Sequence, residues 1–143
     1  MARRTVRIAV ADVTGADTAL IVEHLGVCGF LQYHIERLDS RRASVEALTG
    51  AHYDCVFVTP DASREWALDC AVWDALESRG PEPIYILDPG QVVIGGAECI
   101  ARDRMQCPAL ICAISNALRR RARRIARPAA QTASPILALT PTS

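Results

Sequence analysis

The chain contains no lysine. All 16 of its basic residues are arginine, which excludes chemistry that runs through a lysine amine: a Schiff base, a Walker-type phosphate lysine or a lysine switch. Acid is also missing from one region. Residues 105–143 carry six arginines and no acid, while residues 1–104 carry ten arginines against 16 acids. The formal net charge of zero therefore divides into a body at −6 and a terminal stretch at +6. No apolar run approaches the roughly 20 residues of a membrane helix, so no membrane partner is expected. None of the six cysteines forms a C-x-x-C pair. His24, His34 and His52 stand at no ligand spacing to them, so neither a metal nor a cofactor is expected. Residues 5–13 read as a short β-branched run holding Arg7 and Asp12 rather than as a signal peptide. Cys28, Cys55, Cys70, Cys99, Cys107 and Cys112 lie mostly among apolar neighbours, and reduced, buried thiols in a cytoplasmic protein are the expectation.

What is present is enough for one core. The 143 residues are 50% hydrophobic, within the usual single-domain range. Short apolar runs alternate with amphipathic stretches. Strands are expected at residues 6–10 (VRIAV), 32–38, 53–58 (YDCVFV), 83–87 (PIYIL) and 98–101. Helices are expected at 17–28, at 41–48 closed by Gly50, and at 63–78 with Ser63 as cap and Trp66, Cys70, Trp73 and Leu76 on one stripe. A last helix opens at Pro108, with Ile111, Ile114, Leu118, Ala122 and Ile125 at helical spacing.

Strands alternating with helices imply parallel strands joined by right-handed crossovers, an open α/β sheet. Five strands at this length favour the flavodoxin-like order 2-1-3-4-5, whose working crevice lies at the carboxyl ends of the strands. Residues 1–127 form the expected domain. Residues 128–143, rich in Ala, Pro, Thr and Ser and without charge, read as a flexible tail or a linker to an output domain.

Three stretches at those strand ends resemble the response-regulator receiver (CheY-like) family. VRIAVAD is similar to the first strand with its acidic pair, and YDCVFVTPD to the third strand with its phosphoacceptor. GGAECIARDRMQCPALICAISNALRRR is similar to the fifth strand and last helix. The resemblance covers about residues 5–124. It implies a phosphorylation pocket of Mg²⁺-holding carboxylates, an acceptor aspartate, a Ser/Thr and a lysine. In this chain Asp12 alone remains of the acidic pair, Thr59 stands at the acceptor, Asp88 at the Ser/Thr position and Arg102 at the lysine, with Asp61 nearby. One carboxylate is a poor start for a magnesium site, and a threonine hydroxyl is a weak nucleophile without a base. Arg102 is expected to close the pocket by pairing with Asp88 or Asp12.

Between Asp88 and Arg102, the segment PGQVVIGGAE discourages a helix, so the fourth crossover helix is expected to be shortened or missing. Val92, Val93 and Ile94 would patch the gap it leaves. The arginine run Arg119, Arg120, Arg121, Arg123 and Arg124 offers a cationic helix for a partner or for nucleic acid, although no aromatic is interleaved to stack on bases. The resemblance and its losses together imply a non-enzymatic pseudo-receiver of a bacterial two-component or transcription regulator, with no catalytic residue. Such a domain would act through a protein partner, an output domain or a homodimer. Two alternatives stay open: a receiver with a displaced acceptor, Asp61 or Asp12, and a nucleic-acid-binding regulator using the last helix.

Overall fold

A computed structural model describes residues 5–26, 32–50, 52–68, 80–91 and 97–126. Five strands, β1 (Thr5–Ala11), β2 (Gln32–Leu38), β3 (Cys55–Val58), β4 (Glu82–Leu87) and β5 (Glu98–Ala101), form one sheet. All are parallel, in the order β2-β1-β3-β4-β5. The flavodoxin-like α/β arrangement expected from the alternation is therefore the observed one. Among the described residues four helices accompany the strands: α1 (Ala16–Gly26), α2 (Arg41–Thr49), α3 (Pro60–Glu65) and α4 (Cys107–Ala126). A single 3-10 turn, Arg102–Arg104, joins β5 to α4. Only ten residues, 88–97, separate β4 from β5. Among the described ones no helix occurs there, and the expected patch at 92–94 lies outside them.

Strand alternation sends successive side chains to opposite faces. Val6, Ile8 and Val10 of β1 join Cys55, Phe57, Ile84 and Ile86 in a core under α1 and α4. Ala9, Ala11, Leu38, Val56, Val58 and Tyr85 form the other core, with Ala47 and Leu48 of α2 and Ala62 of α3. Among the described residues, that second face is covered by two short helices, α2 of nine residues and α3 of six.

Two helix ends depart from the sequence reading. α3 begins at Pro60 with Thr59 as its cap, three residues before the expected opening and without Ser63 in that role. It stops at Trp66, followed by Ala67 at φ 54°, so the expected helix over 63–78 is broken there. Cys70, Trp73 and Leu76 lie outside the described residues. α2, by contrast, opens on Ser40, whose hydroxyl accepts from the Ala43 amide at 3.0 Å, and ends at Gly50 as expected.

The buried stripe of α4 overlaps the expected one at Ile114, with Ile111 and Leu118 packed against its edge. Leu110, Ala113, Ile114 and Ala117 are buried, whereas Ala122 and Ile125 are exposed and Ile111 and Leu118 are half-buried. The small side chains at 113 and 117 let the helix approach the sheet closely. The same stripe, stepping by three and four, then continues through Arg121 and Arg124.

The cysteines correct the sequence reading as well. Cys55 is a buried free thiol, but Cys99 and Cys112 are free and exposed, and Cys107 is disulfide-bonded. Among the described cysteines, the expected reduced and buried state is therefore found at Cys55. No described helix is long and apolar enough to cross a membrane. The tail at 128–143 lies outside the described residues.

Candidate functional site

The crevice at the carboxyl ends of the strands receives side chains from every crossover that the sheet order brings together. β1 delivers Asp12, which is 1% exposed. Its carboxylate does not point at the crevice as a free ligand. Oδ2 accepts from the Thr18 amide at 2.9 Å and from the Thr18 hydroxyl at 2.7 Å. Asp12 is thus bound to the first turn of α1, where orphan amide groups and the helix dipole favour an anion. Burial pushes its pKa up, but the Thr18 bonds, with the Gly15 and Thr14 amides, outweigh burial and hold it below the ordinary aspartate value. The turn that makes this possible is left-handed at Gly15, φ +89°. Arg37, from the end of β2, packs over that glycine and donates to the Asp12 carbonyl at 3.0 Å and the Val13 carbonyl at 2.7 Å.

β3 delivers Thr59, also 1% exposed. Its hydroxyl donates to the Ala11 carbonyl at 3.0 Å and accepts from the Ala62 amide at 3.2 Å. Both roles of the hydroxyl are used inside the fold: one ties β3 to β1, and the other caps α3. Asp61, in the first turn of α3, pairs at 2.7 Å with Arg64 of the same helix.

β5 ends at the residue that organises the site. The Arg102 guanidinium forks between two carboxylates, with Nη2 2.7 Å from Asp17 Oδ2 and Nη1 2.9 Å from Asp88 Oδ1. Of the two partners expected, Asp88 is present and Asp12 is not; Asp17 takes its place. Asp17 was missing from the sequence candidates because an acid in the first turn of a helix is common and needs no partner. The available signal was its distance of five positions from Asp12 with Gly15 between them, a spacing that folds the start of α1 back over the strand end. Asp17 is 5% exposed. Burial pushes its pKa above the ordinary value even with Arg102 beside it, and repulsion from Asp12 and Asp61 adds to the rise. Burial pulls Arg102 down, but the Asp17 bond and the charges of Asp17, Asp88 and Asp61 more than offset it and leave its pKa raised.

This arrangement does not fit Mg²⁺. The cation takes near-octahedral oxygen ligands, usually one or two carboxylates together with phosphate oxygens and waters. Here Asp12 is spent on α1, Asp61 on Arg64, Asp17 and Asp88 on Arg102, and a capping threonine stands where the third strand would offer a carboxylate. Among the described residues no group of three His, Cys, Asp or Glu side chains is placed to hold a metal ion.

The arginine run of α4 behaves differently from the open cationic face expected. Arg121 Nε donates to the Gly80 carbonyl at 3.3 Å, and its Nη1 lies 3.4 Å from Asp54 Oδ1. Arg124 Nη2 donates to Gly80 at 2.7 Å and lies 3.4 Å from Glu82 Oε1. Asp54 in turn accepts from the Arg7 amide at 2.9 Å. Arg121 and Arg124 therefore close the amino-terminal end of the sheet. Arg119 bonds Asn116 on its own helix, and Arg120 lies close enough to Glu82 to favour its ionised form. Arg119 and Arg123 are exposed, and Arg120 is half-buried.

No protein-family model matches the chain, and none of the curated proteins matches it.

Proposed function

We propose that this chain is a regulatory pseudo-receiver, a non-enzymatic domain of the two-component type that works through contacts with a protein partner or output domain and not through an aspartyl phosphate. The observation that carries the reading is the state of Thr59. The residue at the phosphoacceptor position is buried, and its only reactive atom both caps α3 and ties β3 to β1. Supporting it, Arg102 spends both terminal nitrogens on Asp17 and Asp88, filling the place where a receiver lysine would meet a phosphoryl group.

The displaced-acceptor alternative draws no support from the geometry, since Asp12 and Asp61 are each already partnered. Nucleic-acid binding through α4 is weakened by the commitment of Arg121 and Arg124 to the sheet.

The test is exposure to acetyl phosphate, or to beryllium fluoride, with Mg²⁺. Intact-mass measurement and size-exclusion chromatography should register no adduct and no change of oligomeric state. A stable aspartyl-phosphate would overturn the reading.

A further inference from the structure

At the amino-terminal end of the sheet, away from the crevice, Thr5, Arg7, His34, Glu36, His52 and Tyr53 line an open-sided cavity of about 520 Å³. It lies where polar side chains of β1 and β2 share one sheet face. Arg7 of β1 pairs in register with His34 of β2, and Ala9 with Glu36. These positions share the face that α2 and α3 cover only toward the carboxyl ends of the strands, where Ala11 and Leu38 are buried. Toward the amino-terminal ends of β1 and β2 the same face turns polar and exposed.

Hydrogen-bonding capacity inside the cavity is unequally used. Glu36 is satisfied on both oxygens, accepting from the Tyr53 hydroxyl at 2.6 Å and meeting His34 Nε2 at 2.8 Å. The Tyr53 hydroxyl, with its pKa pushed up to about 12 by burial and by Glu36, stays a neutral donor. A carboxylate oxygen can only accept, so His34 carries its proton on Nε2 and turns Nδ1 elsewhere. The His52 ring rests on Gly50, where an added Cβ would stand 3.2 Å from its Cδ2. The Arg7 backbone is held by Asp54, but among the described residues its guanidinium has neither hydrogen bond nor ion pair. The lining thus balances Arg7 against Glu36 in formal charge, but the carboxylate is engaged while the guanidinium's donors are open among the described residues, beside two imidazoles.

We propose that this cavity binds a small phosphate ester, with Arg7 as the anchor for the phosphate and His52 and His34 beside it. A guanidinium presents the fork of donors that matches phosphate oxygens. The volume falls within the range of small-molecule sites and exceeds what phosphate alone fills. The polar lining suits a sugar-like body rather than an apolar one. A metal is a poor fit because no three ligating groups converge there, and one permanent cation is too little for a nucleic-acid track. The site shares no residue with the crevice, so it stands or falls independently of the pseudo-receiver reading.

Calorimetric titration of the full chain with ribose 5-phosphate and with inorganic phosphate tests it. Saturable one-to-one binding is expected, tighter for the ester. Arg7→Ala should weaken it about tenfold or more, His52→Gln should weaken it less, and Arg123→Ala on the exposed side of α4 should leave it unchanged. Amide shifts of the unmodified protein on adding ribose 5-phosphate should cluster at residues 5–7, 34–36 and 52–53. Absence of saturable binding, equal loss in Arg123→Ala, or shifts centred on another surface would overturn the proposal.

Discussion

Arg102 holds Asp17 from 85 positions away in the sequence, with 2.7 Å between Nη2 and Oδ2. Its other terminal nitrogen holds Asp88, so one side chain joins the end of β5, the start of α1 and the turn after β4.

Replacing Arg102 measures that junction. Arg102→Ala leaves Asp17 buried without its cation and should cost about 1–2 kcal/mol, a figure reduced for the partial exposure of the arginine. Arg102→Lys should recover less than half of the loss, because an ammonium cannot fork in one plane toward two carboxylates. Urea unfolding of the three proteins gives the comparison, and equal midpoints would refute the role.

Thr59 separates capping from chemistry. Thr59→Val keeps the shape but leaves the Ala62 amide unpaired and removes one of the two donors to the Ala11 carbonyl, which keeps the Thr59 amide, so stability should fall by about 1–2 kcal/mol. Thr59→Ser retains both bonds and should stay within about 0.5 kcal/mol of the parent. Thermal melts distinguish them. A Val variant as stable as the parent would mean that the hydroxyl is not structural.

The two buried aspartates should respond to acid with opposite signs. Asp12 has a lowered pKa in the folded state, so its contribution is present above the unfolded aspartate pKa and fades as pH falls through the folded one. Asp12→Asn should therefore melt below the parent at neutral pH by about 1 kcal/mol and converge with it in acid. Asp17 has a raised pKa, so its contribution is full below the unfolded value and is lost as pH rises through the folded one. Asp17→Asn should hold its stability at neutral pH and forfeit the parent's relative gain in mild acid. Melting temperatures across pH 3–8, a window chosen to span ordinary carboxylate titration, check both.

Thiol labelling tests the placement of the cysteines. In the native protein, iodoacetamide should reach Cys99 and Cys112, which are exposed, and spare Cys55, which is fully buried with its pKa raised by desolvation. Peptide mapping by mass spectrometry reads the result. Native labelling at Cys55 comparable to that at Cys99 would contradict the packing of β3.

The sheet was legible because its signals are local. β-branched runs such as residues 6–10 and 55–58, punctuated by glycine and proline, mark strands whatever surrounds them, and the shortness of 88–97 by itself excludes a full crossover helix. Thr59, Asp88 and Arg102 were legible as strand-end residues for the same reason. The arginines of α4 were not. Arg121 and Arg124 look like two members of a solvated run, and only the carbonyl of Gly80 and the carboxylates of Asp54 and Glu82, 41 to 67 positions away in sequence, turn them inward. Hydrophobic periodicity was misleading there, since the buried face of α4 passes from alanine and isoleucine to arginine without changing its spacing. The end of α3 was hidden too, because nothing in the composition of 63–68 announces the left-handed turn at Ala67.

Guanidinium ties close this sheet at both ends, Arg102 at one and Arg121 with Arg124 at the other. A guanidinium keeps its charge throughout the pH range in which proteins stay folded, and it offers no amine to an acylating reagent. Alkali and lysine-directed modification therefore leave these fastenings untouched. Their release comes instead from the cationic side, so an arginine-selective dicarbonyl reagent, which consumes the guanidinium itself, is the treatment under which the two ends of the domain would loosen together.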